Sequence, residues 1–152
     1  MEPQPGPATT PTMMPVPEGS AALDEALRRV GDRWSLLVVQ ALLEGPLRWG
    51  ELIDAVPGIA SNVLTERLRR LERERVVSAA PYSERPRRYS YELTPAGREL
   101  AGALRLLADW GASGGGPEAP RHRPCGTPME ARWFCPTCAM PVEDDDDDLE
   151  IV

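Results

Sequence analysis

An apolar run at residues 34–43, WSLLVVQALL, limits the folds that are open to this chain. The run is too long for a typical buried strand, and its apolar side chains would cover nearly every side of a helix. A turn signal, Gly45-Pro46, follows it closely. The sequence therefore predicts a central helix that other elements bury and that ends before this turn.

Further helices are predicted on both sides of the central one. Ser20 is a candidate N-cap of a first helix, in which apolar residues recur at helical spacing: Leu23, Ala26, Leu27 and Val30. A short helix at 50–56 is ended by Pro57-Gly58, and a longer helix runs from residue 61 to about residue 74. The longer helix contains a stripe that we expect to be buried: Leu64, Leu68 and Leu71.

A hairpin and a last helix complete the pattern. Val76-Val77 opens one strand, residues 83–86 have turn chemistry, and the returning strand alternates in polarity through Tyr89, Tyr91 and Leu93. Thr94-Pro95 then begins a helix with one apolar face: Leu100, Ala103, Leu104, Leu107 and Trp110. Four helices, a hairpin and a helix predict a mainly α (α+β) winged helix-turn-helix with two flanking helices.

Composition divides the chain into five parts. Residues 1–19 form a proline-rich arm that we expect to be disordered, and residues 20–112 form the folded domain. Residues 113–120, SGGGPEAP, are a predicted flexible linker. Residues 121–142, the cysteine module, hold all the cysteines and the histidine, and residues 143–152 form an acidic tail that cannot fold on itself.

The formal net charge of −7 argues at first against a nucleic-acid partner. The acidity is concentrated at the two ends, however, and residues 61–91 contain eight arginines and four glutamates. Every cation is arginine, which suits bidentate contacts to phosphate or guanine, although a general composition bias gives the same pattern. The local charge of the central part is therefore compatible with binding to nucleic acid.

The sequence contains no run of about 18 apolar residues, so no membrane span is expected. The first residues lack the basic opening and the apolar stretch that are typical of a signal peptide. Three cysteines also do not fit a disulfide-stabilised scaffold. We therefore expect a cytoplasmic protein.

The helix at 61–74 has an outer face that can read DNA. With Leu64 directed toward the core, the residues on the opposite side are Asn62, Thr65, Glu66, Arg69 and Arg73. Asparagine can pair with adenine, and arginine can bind guanine or phosphate. The predicted DNA-contact set adds Ser61 and Arg70 and, at the hairpin tip, Arg85, Arg87 and Arg88. An Arg/Glu-rich face alone is more often a solvated surface, but the hairpin and the preceding short helix favour DNA binding.

Several motifs occur in order: GDRWSLL at 31–37, GPLRWGEL at 45–52, PGIA at 57–60, VLTERL at 63–68, LE at 71–72, YSYELTPAG at 89–97 and ADW at 108–110. In this order and spacing, residues 21–112 resemble the HxlR-type winged-helix transcriptional regulators of prokaryotes, a MarR-like group. The resemblance implies a homodimer in which the first and last helices form the contact. It also implies repression or activation at pseudo-palindromic operators in double-stranded DNA.

The chain departs from the family pattern at two places. Several members sense oxidants through a cysteine just before the first helix, where this chain has Ser20-Ala21-Ala22, so a thiol switch at that position is excluded. The usual glycine before the first strand of the hairpin is replaced by Glu74-Arg75. The end of the helix before this strand is therefore not defined by the sequence.

Domain size gives a second argument for a homodimer. A folded part of about 90 residues buries only a limited core. The apolar stripes of the first and last helices exceed what this core can cover. A two-fold dimer would cover both stripes and place two recognition helices about 34 Å apart.

The cysteine module has the spacing of a zinc site. His122 and Cys125 are separated by two residues, as are Cys135 and Cys138, and the spacer between the pairs is long enough for a hairpin. Four ligands fill a tetrahedral shell and leave no position for a reactive water, which favours a structural Zn²⁺ over a catalytic one. The residues after His122 also lack the glutamate of zinc deaminases.

These observations predict a DNA-binding transcriptional regulator that carries out no catalysis. The alternative is a protein-interaction adaptor, responsive to metal or to oxidation, that works through the cysteine module and the acidic tail.

Overall fold

The computed structural model describes residues 21–112 and 119–142. In chain order, the elements are α1 (Ala21–Val30), α2 (Arg33–Leu42), β1 (Leu47–Arg48), α3 (Trp49–Ala55), α4 (Ser61–Arg73), β2 (Val77–Glu84), β3 (Arg87–Leu93), α5 (Pro95–Gly111), β4 (Trp133–Cys135) and β5 (Met140–Val142). The predicted arm, the N-cap Ser20, residues 113–118 of the linker and the acidic tail lie outside the described residues. None of the described helices is long and apolar enough to cross a membrane.

Helix α2 is the buried central helix that the apolar run predicts. Asp32 caps its first turn, since one carboxylate oxygen accepts from the Ser35 backbone N–H at 3.0 Å. Val38 and Val39 are completely buried. The helix ends at Leu42, before the Gly45-Pro46 turn, so its position and its end are confirmed.

Helix α4 is fixed in the core by one face. Leu64, Leu68 and Leu71 recur at helical spacing and are all buried, as the sequence predicts. They lie in the same apolar cluster as Val38 and Val39 of α2. Truncation of a buried leucine costs about 2–5 kcal/mol, so this face determines the orientation of α4 firmly.

The sheet has three antiparallel strands in the order β1-β3-β2. The hairpin is confirmed, with Val77 opposite Leu93, but β2 extends to Glu84, so the connection is only Arg85-Pro86 and is shorter than predicted. Strand β1 was not predicted, because two residues are too few for a periodic signal. It pairs with β3 through Leu47 opposite Tyr91. With the helices, this sheet confirms a winged helix-turn-helix.

Helix α5 begins as predicted and ends at Gly111. The Thr94 hydroxyl accepts from the Gly97 backbone N–H at 3.0 Å, and Pro95 occupies the first helical position. On the apolar face, Leu104 is buried and Leu100 is half-buried. Ala119, which belongs to the predicted flexible linker, is buried, so the end of that segment packs against the fold.

Arg75 resolves how α4 ends without the usual glycine. Its φ is +57°, in the left-handed region that glycine prefers. The Val76 N–H donates to the Leu71 carbonyl and the Arg75 N–H donates to the Glu72 carbonyl, which together form a Schellman C-cap. Arginine therefore occupies a backbone conformation that has a steric cost for any side chain.

Arg75→Gly is expected to raise the free energy of unfolding by about 1 kcal/mol, because glycine adopts this conformation without the Cβ penalty. Chemical denaturation measures the change. The matched control is Glu72→Gly, which places glycine inside the last turn of α4 and is expected to destabilise by about 1 kcal/mol. A loss of stability in Arg75→Gly would contradict the strained cap.

Candidate nucleic-acid interface

Asp32 attaches α4 to the N-terminus of α2. One of its carboxylate oxygens lies 3.3 Å from Arg67 Nε, and the other lies 3.8 Å from Arg70 Nη1. The Ser35 hydroxyl donates to the second oxygen at 2.6 Å. Arg67 Nε is buried and makes no well-aligned hydrogen bond. The negative charge of Asp32 therefore offsets the cost of burying this positively charged group.

The surroundings of Asp32 favour its charged form. Burial by itself would raise the pKa of the carboxyl. The hydrogen bonds from the Ser35 side chain and backbone, together with the charges of Arg67 and Arg70, outweigh burial and hold the pKa below its ordinary value. The charged carboxylate therefore stabilises the fold at neutral pH and helps to position α4.

Asp32→Asn is expected to lower the free energy of unfolding by about 1 kcal/mol at pH 7, because asparagine keeps the cap but removes the charge facing two arginines. The folded-state pKa lies below the unfolded-state value, so the deficit is complete above about pH 4 and disappears as pH falls through the folded-state pKa. Chemical denaturation from pH 7 to pH 3 measures it. Asp24→Asn, in an exposed pair with Arg28, is the control and is expected to change little. Equal stability of Asp32→Asn and the parent at pH 7 would contradict this role.

The face of α4 opposite the core is polar and basic. Five of the residues on this face are exposed: Ser61, Asn62, Glu66, Arg69 and Arg73. Thr65 is half-buried; its hydroxyl donates to the Ser61 carbonyl at 2.9 Å and lies 3.4 Å from the indole N–H of Trp49. Glu66 lies 3.7 Å from Arg67, not beside Arg69. The structure therefore brings the predicted reading residues together on one surface, with Thr65 held at its edge.

Arg70 is the predicted DNA-contact residue that the structure directs elsewhere. Its Nη2 donates to the Arg28 carbonyl at the end of α1, and its Nη1 faces Asp32. One step of 100° around the helix separates it from Arg69, which places it toward α1 instead of solvent. These are tertiary contacts with α1 and Asp32, and the spacing along α4 does not reveal them.

The hairpin tip presents its three predicted arginines to solvent: Arg85, Arg87 and Arg88. The guanidinium of Arg87 lies over the Tyr89 ring, 5.6 Å from its centroid. A cation placed over an aromatic face is partly restrained in position. The hairpin thus offers a basic edge at which at least one guanidinium is oriented.

The structure adds a group of residues that the sequence interpretation missed. Arg48 of β1 lies over the Tyr82 ring, 4.5 Å from its centroid, and both line an open cleft with Trp49, Arg87 and Arg88. The Glu51 carboxylate accepts from the Arg48 backbone N–H at 2.6 Å, which fixes the start of α3. No local sequence pattern predicts this group, because sheet pairing brings β1 next to the hairpin although the two are far apart in the chain.

The cysteine module forms two turns, each of which contains one predicted ligand pair. His122 Nδ1 lies 3.2 Å from Cys125 Sγ, and the Cys125 thiol is hydrogen-bonded to the Thr127 hydroxyl. Cys135 ends β4, and the backbone N–H groups of Cys138 and Thr137 hydrogen-bond to its sulfur and lower the pKa of this thiol. Among residues 21–112 and 119–142, no three His, Cys, Asp or Glu side chains lie close enough to hold one metal ion. The two pairs are therefore formed but separate.

Comparisons with known proteins agree with the helix-turn-helix fold of residues 21–112. The family of HxlR-like helix-turn-helix proteins matches residues 29–118. A helix-turn-helix-type transcriptional regulator of Mycobacterium tuberculosis is 36% identical over 126 residues, which cover 80% of this chain and 79% of the relative. That alignment extends beyond residues 21–112.

Solved structures of regulators have the same fold. A MarR-family transcriptional regulator from Enterococcus faecalis superposes with a TM-score of 0.56 at 34% identity, covering 70% of this chain and 93% of that one. The reduced form of the transcriptional regulator YodB from Bacillus subtilis gives a TM-score of 0.54 at 29% identity, covering 61% and 91%. With the exposed polar face of α4, these similarities show that the chain belongs to the HxlR-like helix-turn-helix family and is a DNA-binding transcriptional regulator, not an enzyme.

Proposed function

We propose that the protein is a cytoplasmic homodimer that binds two half-sites in double-stranded promoter DNA. Helix α4 would lie in the major groove, and the β2–β3 hairpin would contact the adjoining backbone or minor groove. The observation that carries the proposal is the exposed polar face of α4, whose opposite face is fixed in the core. A helix fixed in this way presents its side chains at a defined angle, as base recognition requires.

The contacts divide by their chemistry. Asn62 and Arg69 lie on the exposed face of α4 and are the proposed base-reading residues, since their side chains can bind adenine and guanine bidentately. The proposed phosphate contacts are Ser61, Arg73, Arg85, Arg87, Arg88 and Arg48. Phosphate contacts fix the register on the duplex, and base contacts supply the specificity. Arg70 is assigned to the fold because its guanidinium is held by α1 and Asp32.

Exposed apolar residues on α1 and α5 support the homodimer. The set consists of Leu23, Leu27, Leu106, Leu107 and Trp110. The indole of Trp110 is the extreme case at 82% exposed. The two helices adjoin, because Ala26 of α1 and Leu100 of α5 line one depression. An apolar surface of this kind on a small domain is typical of a protein–protein contact.

Trp110→Glu is expected to weaken dimerisation at least tenfold, because burial of a tryptophan supplies a large part of an interface and a carboxylate there would lose its hydration. Sedimentation equilibrium measures the dissociation constant. Trp133→Glu, at an exposed tryptophan of β4, is the matched control and is expected to leave dimerisation unchanged. Wild-type protein that sediments as a monomer, or Trp110→Glu that dimerises normally, would contradict the proposed contact.

The proposed function is tested by selecting bound fragments from a genomic DNA library and footprinting the selected DNA. A homodimer with α4 in the major groove predicts two protected half-sites with centres about 34 Å, one helical turn, or a multiple of it apart. Failure to enrich any sequence, or a footprint with a single half-site at saturation, would contradict the proposal.

A further inference from the structure

The cysteine module contains two turns of the same design. In each, two ligand-type residues are separated by two positions, and the residue after the second one has a positive φ: Gly126 at +70° and Ala139 at +54°. Only glycine adopts a positive φ without a steric cost, so the surrounding structure must hold Ala139 in this conformation. The module thus repeats the spacing of the ligand pair and the positive φ that follows it.

Backbone hydrogen bonds close both turns. In the first turn, the N–H groups of Cys125 and Gly126 donate to the His122 carbonyl at 3.3 and 2.7 Å. The second turn connects β4 to β5, where Cys135 lies opposite Met140. The two side chains of each pair lie together: His122 Nδ1 is 3.2 Å from Cys125 Sγ, and the Cys138 side chain is hydrogen-bonded to that of Cys135.

We propose that His122, Cys125, Cys135 and Cys138 bind one Zn²⁺ in a closed tetrahedral site, with each turn supplying two ligands. Three thiolates and one imidazole form a standard structural zinc set, and the spacing of two residues within each pair is the usual one. Pro128 pairs with Arg121, and the Met129 N–H donates to the Pro120 carbonyl, so both residues stay with the first turn. Residues 130–132 connect them to β4 outside any helix, strand or bridge, and the second turn would move toward the first through this short segment when the metal binds. With four protein ligands, the ion has no open position and supplies rigidity only.

The contacts of the module indicate which part of the fold a bound ion would stabilise. Arg123, which lies between the ligands His122 and Cys125, forms an ion pair with Glu44 just after α2, with N–O distances of 2.8 and 3.0 Å. Met129 and Pro120 line a groove together with Leu106 of α5. An ion that holds the two turns together would thus brace the module against the C-terminal half of α5, which also carries Trp110.

Zinc titration of the reduced, metal-free full chain against a competing chelator tests the site. We expect one Zn²⁺ per chain, and we expect Co²⁺ to give the visible absorption of a tetrahedral thiolate complex. Cys125→Ser, Cys135→Ser and His122→Ala should each weaken the affinity at least tenfold. His122→Cys should still bind one ion, since four thiolates also form a tetrahedral zinc site.

Three outcomes would overturn the assignment. The first is less than a tenth of an equivalent of metal after equilibration with Zn²⁺. The second is unchanged affinity in both cysteine variants, which would place the ion on other residues such as the carboxylates of the tail. The third is an octahedral Co²⁺ spectrum. Zinc stoichiometry and the Co²⁺ spectrum are measured without DNA, and the footprint is measured without reference to metal content, so the zinc site and the DNA-binding function can fail separately.

Discussion

Replacement of Gly97 by alanine is expected to lower the free energy of unfolding by about 2–3 kcal/mol. Gly97 is buried in the first turn of α5, and a Cβ at this position would overlap the carbonyl oxygen of Val76. That carbonyl cannot move away at low cost, because it accepts from the Thr94 N–H at 3.0 Å. The added methyl group would therefore separate α5 from the residues that connect α4 to β2.

Gly102→Ala is the matched control for this prediction. Gly102 lies in the same helix, but a Cβ there would meet nothing within 4 Å. Alanine at this position is expected to stabilise the protein by about 1 kcal/mol, because glycine is the weaker helix former. Thermal and chemical denaturation of the two variants should thus give changes of opposite sign. A neutral or stabilising Gly97→Ala would contradict a close contact between Gly97 and the Val76 carbonyl.

Removal of the Arg69 side chain should have the largest effect on operator affinity. Arg69 is exposed at the centre of the α4 face, and a bidentate arginine–guanine pair is worth about 1–3 kcal/mol. A homodimer places the residue at two half-sites, so Arg69→Ala should cost about 2–6 kcal/mol, which is a loss of roughly thirtyfold or more. Fluorescence anisotropy with the selected operator measures the change at fixed salt concentration.

Loss of a phosphate contact should affect DNA affinity differently from loss of Arg69. Arg87→Ala, at the hairpin edge, is expected to lower the affinity for the operator and for unrelated DNA by the same factor. It should also reduce the dependence of the affinity on salt concentration. Arg69→Ala should lower the affinity for the operator more than the affinity for unrelated DNA. The comparison therefore separates base recognition from general attraction to the DNA backbone.

The parts of the fold with strong local signals could be predicted from sequence. The apolar run of α2 and the leucine stripe of α4 define helices and buried faces by spacing alone, and Thr94-Pro95 marks the start of α5. The exposed face of α4 followed from the same periodicity, since residues opposite Leu64 must face solvent. These features depend on neighbours in sequence.

The parts that escaped prediction depend on contacts between distant segments. Strand β1 exists because Leu47 pairs with Tyr91, and Arg70 turns inward because Asp32 and the Arg28 carbonyl lie beside it. The stacking of Arg48 on Tyr82 likewise joins two strands that are far apart in the chain. The conformation of Arg75 could not be predicted for another reason. Its φ is positive, and arginine by itself does not favour that conformation.

The most direct test of the central claim is the affinity of wild type, Arg69→Ala and Arg98→Ala for the selected operator and for a scrambled duplex. Arg98 is an exposed arginine of α5 and serves as the charge-matched control. Base reading by α4 predicts that Arg69→Ala loses most of the preference for the operator, whereas Arg98→Ala keeps it. An operator preference that is unchanged in Arg69→Ala, or equally reduced in both variants, would contradict recognition through this face of α4.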